Sequence, residues 1–357
     1  MMKKLRVIQW TTGKVGKLSL RGILDDPRLE LAGVYAHSES KSGTDAGALC
    51  NRPDTGITAT SDIDALIALK ADTVLYTPFE ANLDHVIPLL ESGLDVVSTN
   101  LFLNIGGIRG DVKEKLAAAC ERGGSSLYIT GINPGWVNSV VTAITAICRD
   151  VEYVGTTESA DCSVYESVET WSFLGMGEHP GEPSSEAHQD LMKRAHDWLI
   201  LFRDVVARIG DALEIAYDDI EFFCEYATAS EDVDLGWFKM DKGTNAALRG
   251  GWNGKVGGKT VVQMKVVWYL TKKLQEGWEI DEDQYHLEVK GDPSVNVKMR
   301  FTPPEHWGNH DWDTMTALPA VNALFQVKAA PSGILGLRDV GLPHAPVGEW
   351  MRARMPD

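Results

Sequence analysis

The sequence predicts an α/β protein: a doubly wound parallel sheet over residues 1–150, an α+β domain on mainly antiparallel strands over 151–310, and a segment, 311–357, that returns to the first domain. Three observations carry this. Buried-strand and amphipathic-helix patterns alternate through the first 150 residues. Such alternation sets parallel strands between two helix layers, with right-handed crossovers. The opening strand runs through a turn of threonines and glycines straight into a helix. Near residue 150 the rhythm changes to long extended stretches rich in β-branched and aromatic residues.

Taken in order, RVIQW reads as a buried strand, and VGKLSLRGILD has helical periodicity. LELAGVYAH is a second strand. SDIDALIAL is a helix with Ser61 or Asp62 as its cap, and ADTVLYTP is a third strand. ANLDHVIPLLESG is a helix that Gly93 closes. Strand DVVSTN, helix DVKEKLAAACERGG and strand SSLYITG follow. Beyond residue 150, VEYVGTTESADCSVYESVETWSFLG reads as mostly extended. EPSSEAHQDLMKRAHDWLILFRDVVARIG is one long helix capped by Ser184 or Ser185. DIEFFCEYATA, KTVVQMKVVWYL, DQYHLEVKG and SVNVKMRFTP supply further strands. WDTMTALPAVNALFQVKAAPSG is helical again and is expected to pack back onto the first domain.

The turn TTGKVG carries the first functional signal. In a dinucleotide site of the Rossmann type, the turn after the first strand is tight, its backbone approaches the pyrophosphate, and the following helix aims free N–H groups at it. Gly13 and Gly16 stand where the second and third glycines of GxGxxG belong, and Thr11 replaces the first. A strand precedes, a helix follows, and a second strand ends roughly twenty residues on, the context such a site requires. The expected contacts are Thr11, Thr12, Gly13, Lys14, Val15 and Gly16. An acidic residue at the end of the second strand would hold the ribose hydroxyls of NAD. VYAHSESKSG instead offers His37, Ser38, Ser40 and Lys41, with Lys14 in the turn, groups that suit the 2′-phosphate of NADP; Glu39 leaves NAD open.

Composition narrows the partners. The formal net charge of −17 argues against nucleic acid and anionic membranes. No apolar run reaches the roughly 18 residues of a membrane span, and MMKKLRVIQW lacks the apolar core of a signal peptide. Five cysteines (Cys50, Cys120, Cys148, Cys162 and Cys224) form no CxxC pair, so reduced thiols and a cytoplasmic location are expected. His306, His310, Asp311 and Asp313 are metal-ligand types without a regular scaffold, and no metal is expected. His179 lies in a glycine-rich loop able to close over a substrate or to serve as a plain turn. Trp136, Trp171, Trp237, Trp252 and Trp268 either wall an apolar pocket or pack cores.

SGTDAGAL resembles the segment after the second strand of dihydrodipicolinate reductases, and VLYTPFEANLDHVIPLLESGLDVVSTN is similar to the third and fourth units of that family. ITGINPGWVNSVV is similar to a branch of the superfamily, the 2,4-diaminopentanoate dehydrogenases and native amine dehydrogenases. VIQWTTGKVG and ALPAVNALFQVKAAPSG resemble actinobacterial relatives. The resemblance covers the first 150 residues and the C-terminal segment and is thin between. It implies that the nicotinamide lies against Thr77 and Pro78, after the third strand, and against Ser98, Thr99 and Asn100, after the fourth. TGINPG, with Asn133, would be the hinge to the substrate domain, where Asn133 and Asn100 would hold the substrate's polar group. A homodimer through the second domain is also implied.

The resemblance breaks twice. Dihydrodipicolinate reductases carry paired histidines and a lysine early in the second domain; ESADCSVYESVETWSFLG has neither, which argues against that reaction. Amine dehydrogenases of the other branch carry a glutamate just after the fourth strand, which handles the amine proton. Here Asn100, Leu101 and Phe102 stand in its place, and an asparagine exchanges no proton near neutral pH. The substitute is sought among Asp161, Tyr165, Glu166 and Glu169. On an extended segment Asp161, Tyr165 and Glu169 would share a face, where shielding from water would raise a carboxylate pKa. A strand with one wet face is the alternative. The expected function is hydride transfer between NAD(P) and a C=N or C=O centre. Reductive amination of small ketones or aldehydes is favoured. An imine or ketone reductase that needs no ammonia and a non-catalytic NADP-binding sensor remain open.

Overall fold

The structure, a computed structural model, describes residues 3–100, 110–282 and 284–348. Its described residues form two compact units, one running to Ser139 and resuming at His310, the other Val140–Asn309.

In the first unit β1 (Leu5–Trp10) leads into α1 (Lys14–Asp25), and β2 (Leu29–Tyr35) into α2 (Ala46–Cys50). β3 (Ala59–Thr60), α3 (Ile63–Ala68), β4 (Thr73–Tyr76), α4 (Leu83–Glu91), β5 (Asp95–Ser98), α5 (Gly110–Gly123) and β6 (Ser126–Ile129) follow. The strands are parallel in the order β6-β5-β4-β1-β2-β3. β1 therefore lies between β2 and β4, at the point where the strand order reverses, and ligands bind beyond the carboxyl ends there. Both faces are covered. Val7, Leu75 and Val97 pack with Leu20 and Ile23 of α1. Ile8, Val74 and Val96 pack with Val86 and Leu89 of α4 and Leu116 of α5. This double burial explains the near-continuous apolar strands. Of the two cap candidates for α3, Asp62 does the work, its carboxylate accepting from the Ala65 N–H at 2.9 Å.

After α6 (Val137–Ile144), the second unit holds β7 (Val151–Asp161), α7 (Val168–Phe173), α8 (Glu186–Leu199) and α9 (Arg203–Leu213). Then come β8 (Asp219–Thr228), the short pair β9 (Val233–Asp234) and β10 (Lys239–Met240), β11 (Asn245–Val256), β12 (Lys259–Tyr269), β13 (Tyr285–Gly291) and β14 (Val295–Met299). The sheet order is β14-β13-β7-β12-β11-β8, antiparallel except for the parallel pair β7 and β12.

Two sequence expectations are corrected here. The stretch after β7 is not extended. The Asp161 carboxylate accepts from the Ser163 N–H (3.0 Å) and Oγ (2.6 Å), which turns the chain. The Ser167 hydroxyl then accepts from the Thr170 N–H at 3.4 Å and starts α7. Glu169 thus sits in a helical first turn, and Asp161, Tyr165 and Glu169 share no strand face. The long helix is also broken. Ser185 caps α8, but a 3₁₀ turn at Ile200–Phe202 divides it from α9. There the Trp252 indole donates to the Leu199 carbonyl at 2.8 Å, which satisfies that carbonyl from outside the helix.

The chain then returns to the first unit as α10 (Thr314–Ala329), the strand β15 (Gly333–Leu335) and α11 (Leu337–Val340). β15 pairs parallel to β6 and completes a seven-stranded sheet, an element the sequence reading lacked. Lys328 of α10 donates to the Asp95 carboxylate at 2.9 Å, and Asp95 also accepts from the Ser126 N–H at 2.8 Å. Burial nonetheless pushes the Asp95 pKa above the ordinary value. Among the described residues no helix is long and apolar enough to cross a membrane, and no cluster of three or more His, Cys, Asp or Glu is suited to a metal ion.

Lys328→Met should lower stability to urea by about 1–3 kcal/mol, because a buried carboxylate loses its charged donor. The loss should grow as pH rises from about 4 to 7. An acid whose folded pKa is raised binds more protons folded than unfolded in that window, so stability falls with pH. Equal urea midpoints for wild type and variant at pH 7 would contradict the role given to the pair.

Candidate cofactor site

The carboxyl ends of β1, β2 and β4 open onto a cavity of about 650 Å³. The turn after β1 forms its base. Thr11 takes φ +70°, the left-handed region, where the first glycine of the motif would sit. Branched residues rarely adopt that conformation. The Thr11 N–H is fixed by the Tyr35 carbonyl at 3.0 Å. Gly16 is buried beneath the turn: a Cβ there would stand 2.5 Å from the Thr11 carbonyl oxygen and 2.9 Å from Thr77 Oγ1. Gly13 differs, since its Cβ would meet nothing within 4 Å.

These features fit a dinucleotide pyrophosphate. Among the described residues no side chain caps α1, so its first N–H groups are available to an anion. Thr12 Oγ1 is buried and lacks a partner among the described residues. The Lys41 ammonium reaches the same turn, donating to the Thr12 carbonyl at 3.1 Å.

Of the residues the sequence singled out, Thr11, Thr12, Gly13, His37, Lys41, Thr77 and Pro78 line this cavity. Lys14 and Val15 occupy the first turn of α1, Lys14 exposed. Ser38 lies with its Oγ 3.3 Å from Ser40 Oγ. Ser98 is fully buried, and its Oγ donates to the Asn100 carbonyl at 2.8 Å. The Thr99 N–H donates to the Tyr76 carbonyl at 3.1 Å. The Asn100 amide donates to the carbonyls of Pro78 (3.2 Å) and Phe79 (2.6 Å), so its Nδ2 holds the segment after β4. Leu101 and Phe102 lie outside the described residues. Asn133 Oδ1 accepts from Asn138 Nδ2 at 3.4 Å, while Asn138 Oδ1 accepts from the Gly135 N–H at 2.7 Å.

In the second unit Asp161, Tyr165, Glu166 and Glu169 are all exposed. The Tyr165 ring stands edge-on to Trp171 at 6.0 Å, and its carbonyl accepts from the Trp171 indole at 2.9 Å. Trp171 packs edge-on against Trp268, and the Trp237 indole donates to the Ser163 carbonyl at 3.0 Å. His179 Nδ1 lies 3.2 Å from the Gly243 carbonyl, exposed.

An aromatic floor was missed from sequence. Trp10 stacks on Tyr35 at 4.0 Å and 9°, and His85 packs against both at 5.6 and 5.5 Å. Tyr76 adds a tilted contact to Trp10 at 6.0 Å. The signal was present: β1, β2 and β4 each end in an aromatic residue, at the sheet edge where such folds bind ligands. Burial lowers the His85 pKa below the usual value.

The switch-point cavity with its uncapped glycine turn, in one chain with a mixed-sheet unit, defines an NAD(P)-dependent dehydrogenase. The chain belongs to the family of the 2,4-diaminopentanoate dehydrogenase C-terminal domain, whose model matches residues 136–355. It is 25% identical to an amine dehydrogenase of Streptomyces virginiae over 314 residues, 84% of this chain and 85% of that one. A 4-hydroxy-tetrahydrodipicolinate reductase of Burkholderia multivorans is 31% identical over 116 residues, 32% of this chain and 42% of that one. In fold the chain is similar to the solved amine dehydrogenase of Mycobacterium smegmatis, with a TM-score of 0.70 at 15% identity, covering 97% of this chain and 98% of that one. The resemblance read from the sequence therefore holds, and it extends through the second unit, where the sequence reading found it thin.

Gly13→Val should fold like wild type, since its side chain meets open space, yet bind no NADPH by calorimetry. Gly16→Ala should instead lower the melting temperature, because its Cβ meets backbone. A Gly13→Val protein that titrates normally would remove the turn from the site. The lowered His85 pKa means the unfolded chain binds more protons below about pH 6.5, so stability should fall as pH drops through that range. His85→Phe should flatten the dependence of melting temperature on pH between about 5 and 7; an unchanged slope would refute the assignment.

Proposed function

We propose that the protein is an NADP-dependent amine dehydrogenase, catalysing reductive amination of small ketones or aldehydes and the reverse deamination. The observation that carries this reading is the similarity to the Streptomyces virginiae amine dehydrogenase along 84% of this chain. In this reading Thr12, Gly13 and the first N–H groups of α1 hold the pyrophosphate. His37, Ser38, Lys41 and Lys14 take the 2′-phosphate; the cationic Lys41 already at the turn supports NADP over NAD. Thr77, Pro78, Ser98 and Thr99 bound the nicotinamide end. The bound cofactor supplies a hydride acceptor or donor.

Hydride addition needs an electrophilic carbon, so a protein group must manage a proton at the substrate. Asp161, Tyr165, Glu166 and Glu169 are the candidates, with Asn133 orienting the polar group. A second reading, a reductase that uses no ammonia, is supported by Asn100, Leu101 and Phe102 standing just after β5, where the resembling amine dehydrogenases carry a glutamate.

The deciding assay is NADPH oxidation with a panel of small ketones and aldehydes, with and without ammonium. Ammonium-dependent turnover is expected, and ammonium-independent turnover would install the second reading. Tight NADPH binding with no turnover would leave a sensor. Removing a positioned acid or base costs about a hundred- to ten-thousandfold in rate, so one among Asp161→Asn, Tyr165→Phe, Glu166→Gln and Glu169→Gln should show that fall with NADPH affinity intact. Lys41→Ala should weaken NADPH about ten- to a hundredfold more than NADH, an effect that shrinks at high salt.

A further inference from the structure

Gln9 is a fully buried amide inside an otherwise apolar strand. Its Nε2 donates to the Thr11 carbonyl at 2.9 Å and to Thr77 Oγ1 at 2.9 Å, with the Trp10 carbonyl at 3.3 Å. The donor pattern fixes which way the amide points. Carbonyls only accept, and the Thr77 hydroxyl gives its own proton to the Trp10 carbonyl at 2.9 Å, so the NH₂ side must face all three. The other side of the amide, Oε1, is buried without a partner among the described residues. Stability alone would favour an apolar side chain of the same size, because a half-satisfied buried amide is unfavourable. What the amide does accomplish is local. It ties the turn after β1 to the segment after the neighbouring strand β4, and both segments line the cavity. It also grips the carbonyl of the one turn residue held at positive φ against its own preference.

We propose that Gln9 is the positioning residue of the phosphate turn: its amide holds Thr11 in the left-handed conformation and so keeps the Thr12–Gly13 backbone open to the pyrophosphate. A glycine at position 11 would adopt that conformation unaided; a threonine needs the clamp. The proposal rests on the reading that this turn binds a nicotinamide dinucleotide.

A double-mutant cycle tests it. Gln9→Met keeps the shape and removes the donor. Affinities for NADPH and NADH are measured by calorimetry, and thermal unfolding is followed without ligand. Gln9→Met should weaken both dinucleotides alike by about ten- to a hundredfold, since the pyrophosphate is common to both and charged-acceptor geometry of this kind is worth that much. In a Thr11→Gly background the same change should cost less than about threefold, and its melting-temperature penalty should shrink in parallel. Equal losses in both backgrounds would overturn the proposal, as would a folded Gln9→Met protein that binds like wild type. Failure of Gln9→Met to fold even with Thr11→Gly would overturn it too, because Gln9 would then support the fold and not the turn. If wild type binds neither dinucleotide, the cofactor reading fails instead, while the ligand-free melting cycle still reports whether residues 9 and 11 are coupled.

Discussion

Strand β1 is hydrogen-bonded on both sides, by β2 and β4, and the chain leaves those neighbours toward opposite faces of the sheet. That single arrangement creates the crevice, because no helix can cover the edge above a strand whose two neighbours diverge. The residues where β1, β2 and β4 end then become the walls of the cavity, and the turn after β1 becomes its base. The buried Gln9, the left-handed Thr11 and the close-packed Gly16 are all consequences of bringing the chain round tightly at that point.

Net charge works against the site at long range, and the α1 terminus and Lys41 offset it at the turn. A chain of formal charge −17 repels a polyanionic dinucleotide. The local balance is mixed: the segment after β2 presents the part-buried Lys41 beside Glu39, Glu80 also lines the cavity, and the first turn of α1 has no acidic residue. The uncapped helix terminus adds its partial positive charge within a few ångströms, where ionic screening is weakest.

Much of the first unit was legible because its signals are local. Strand and helix periods, the glycine spacing of TTGKVG and the polar residues after VYA are read within a few positions of each other. Five of the residues so chosen, Thr11, Thr12, Gly13, His37 and Lys41, line the cavity, and the resemblance added Thr77 and Pro78. What was not legible depended on distant partners. The parallel pairing of β7 with β12, the break after Leu199 imposed by Trp252, and the strand Gly333–Leu335, which exists only because β6 offers it an edge, leave no mark in their own segments. The turn at Asp161 was local and still missed, since alternation through ESADCSVYE mimics a strand while an aspartate two residues before a serine closes a loop. Gln9 escaped because one polar residue in an apolar strand has no meaning until its three acceptors are known.

The first unit is assembled from two stretches of chain with the whole second unit between them. Leu20 and Ile23 of α1 are covered by Ala320, Val321 and Leu324 of α10, and the sheet gains its last strand from Gly333–Leu335. On the ribosome the apolar face of α1 therefore emerges long before its cover is made. The interrupted unit stays incomplete until nearly the entire polypeptide is out, whereas the inserted unit has all its strands earlier. Translation thus imposes an order on folding: the inserted unit is ready to form first, and a chain cut short before α10 leaves the first unit with an uncovered core.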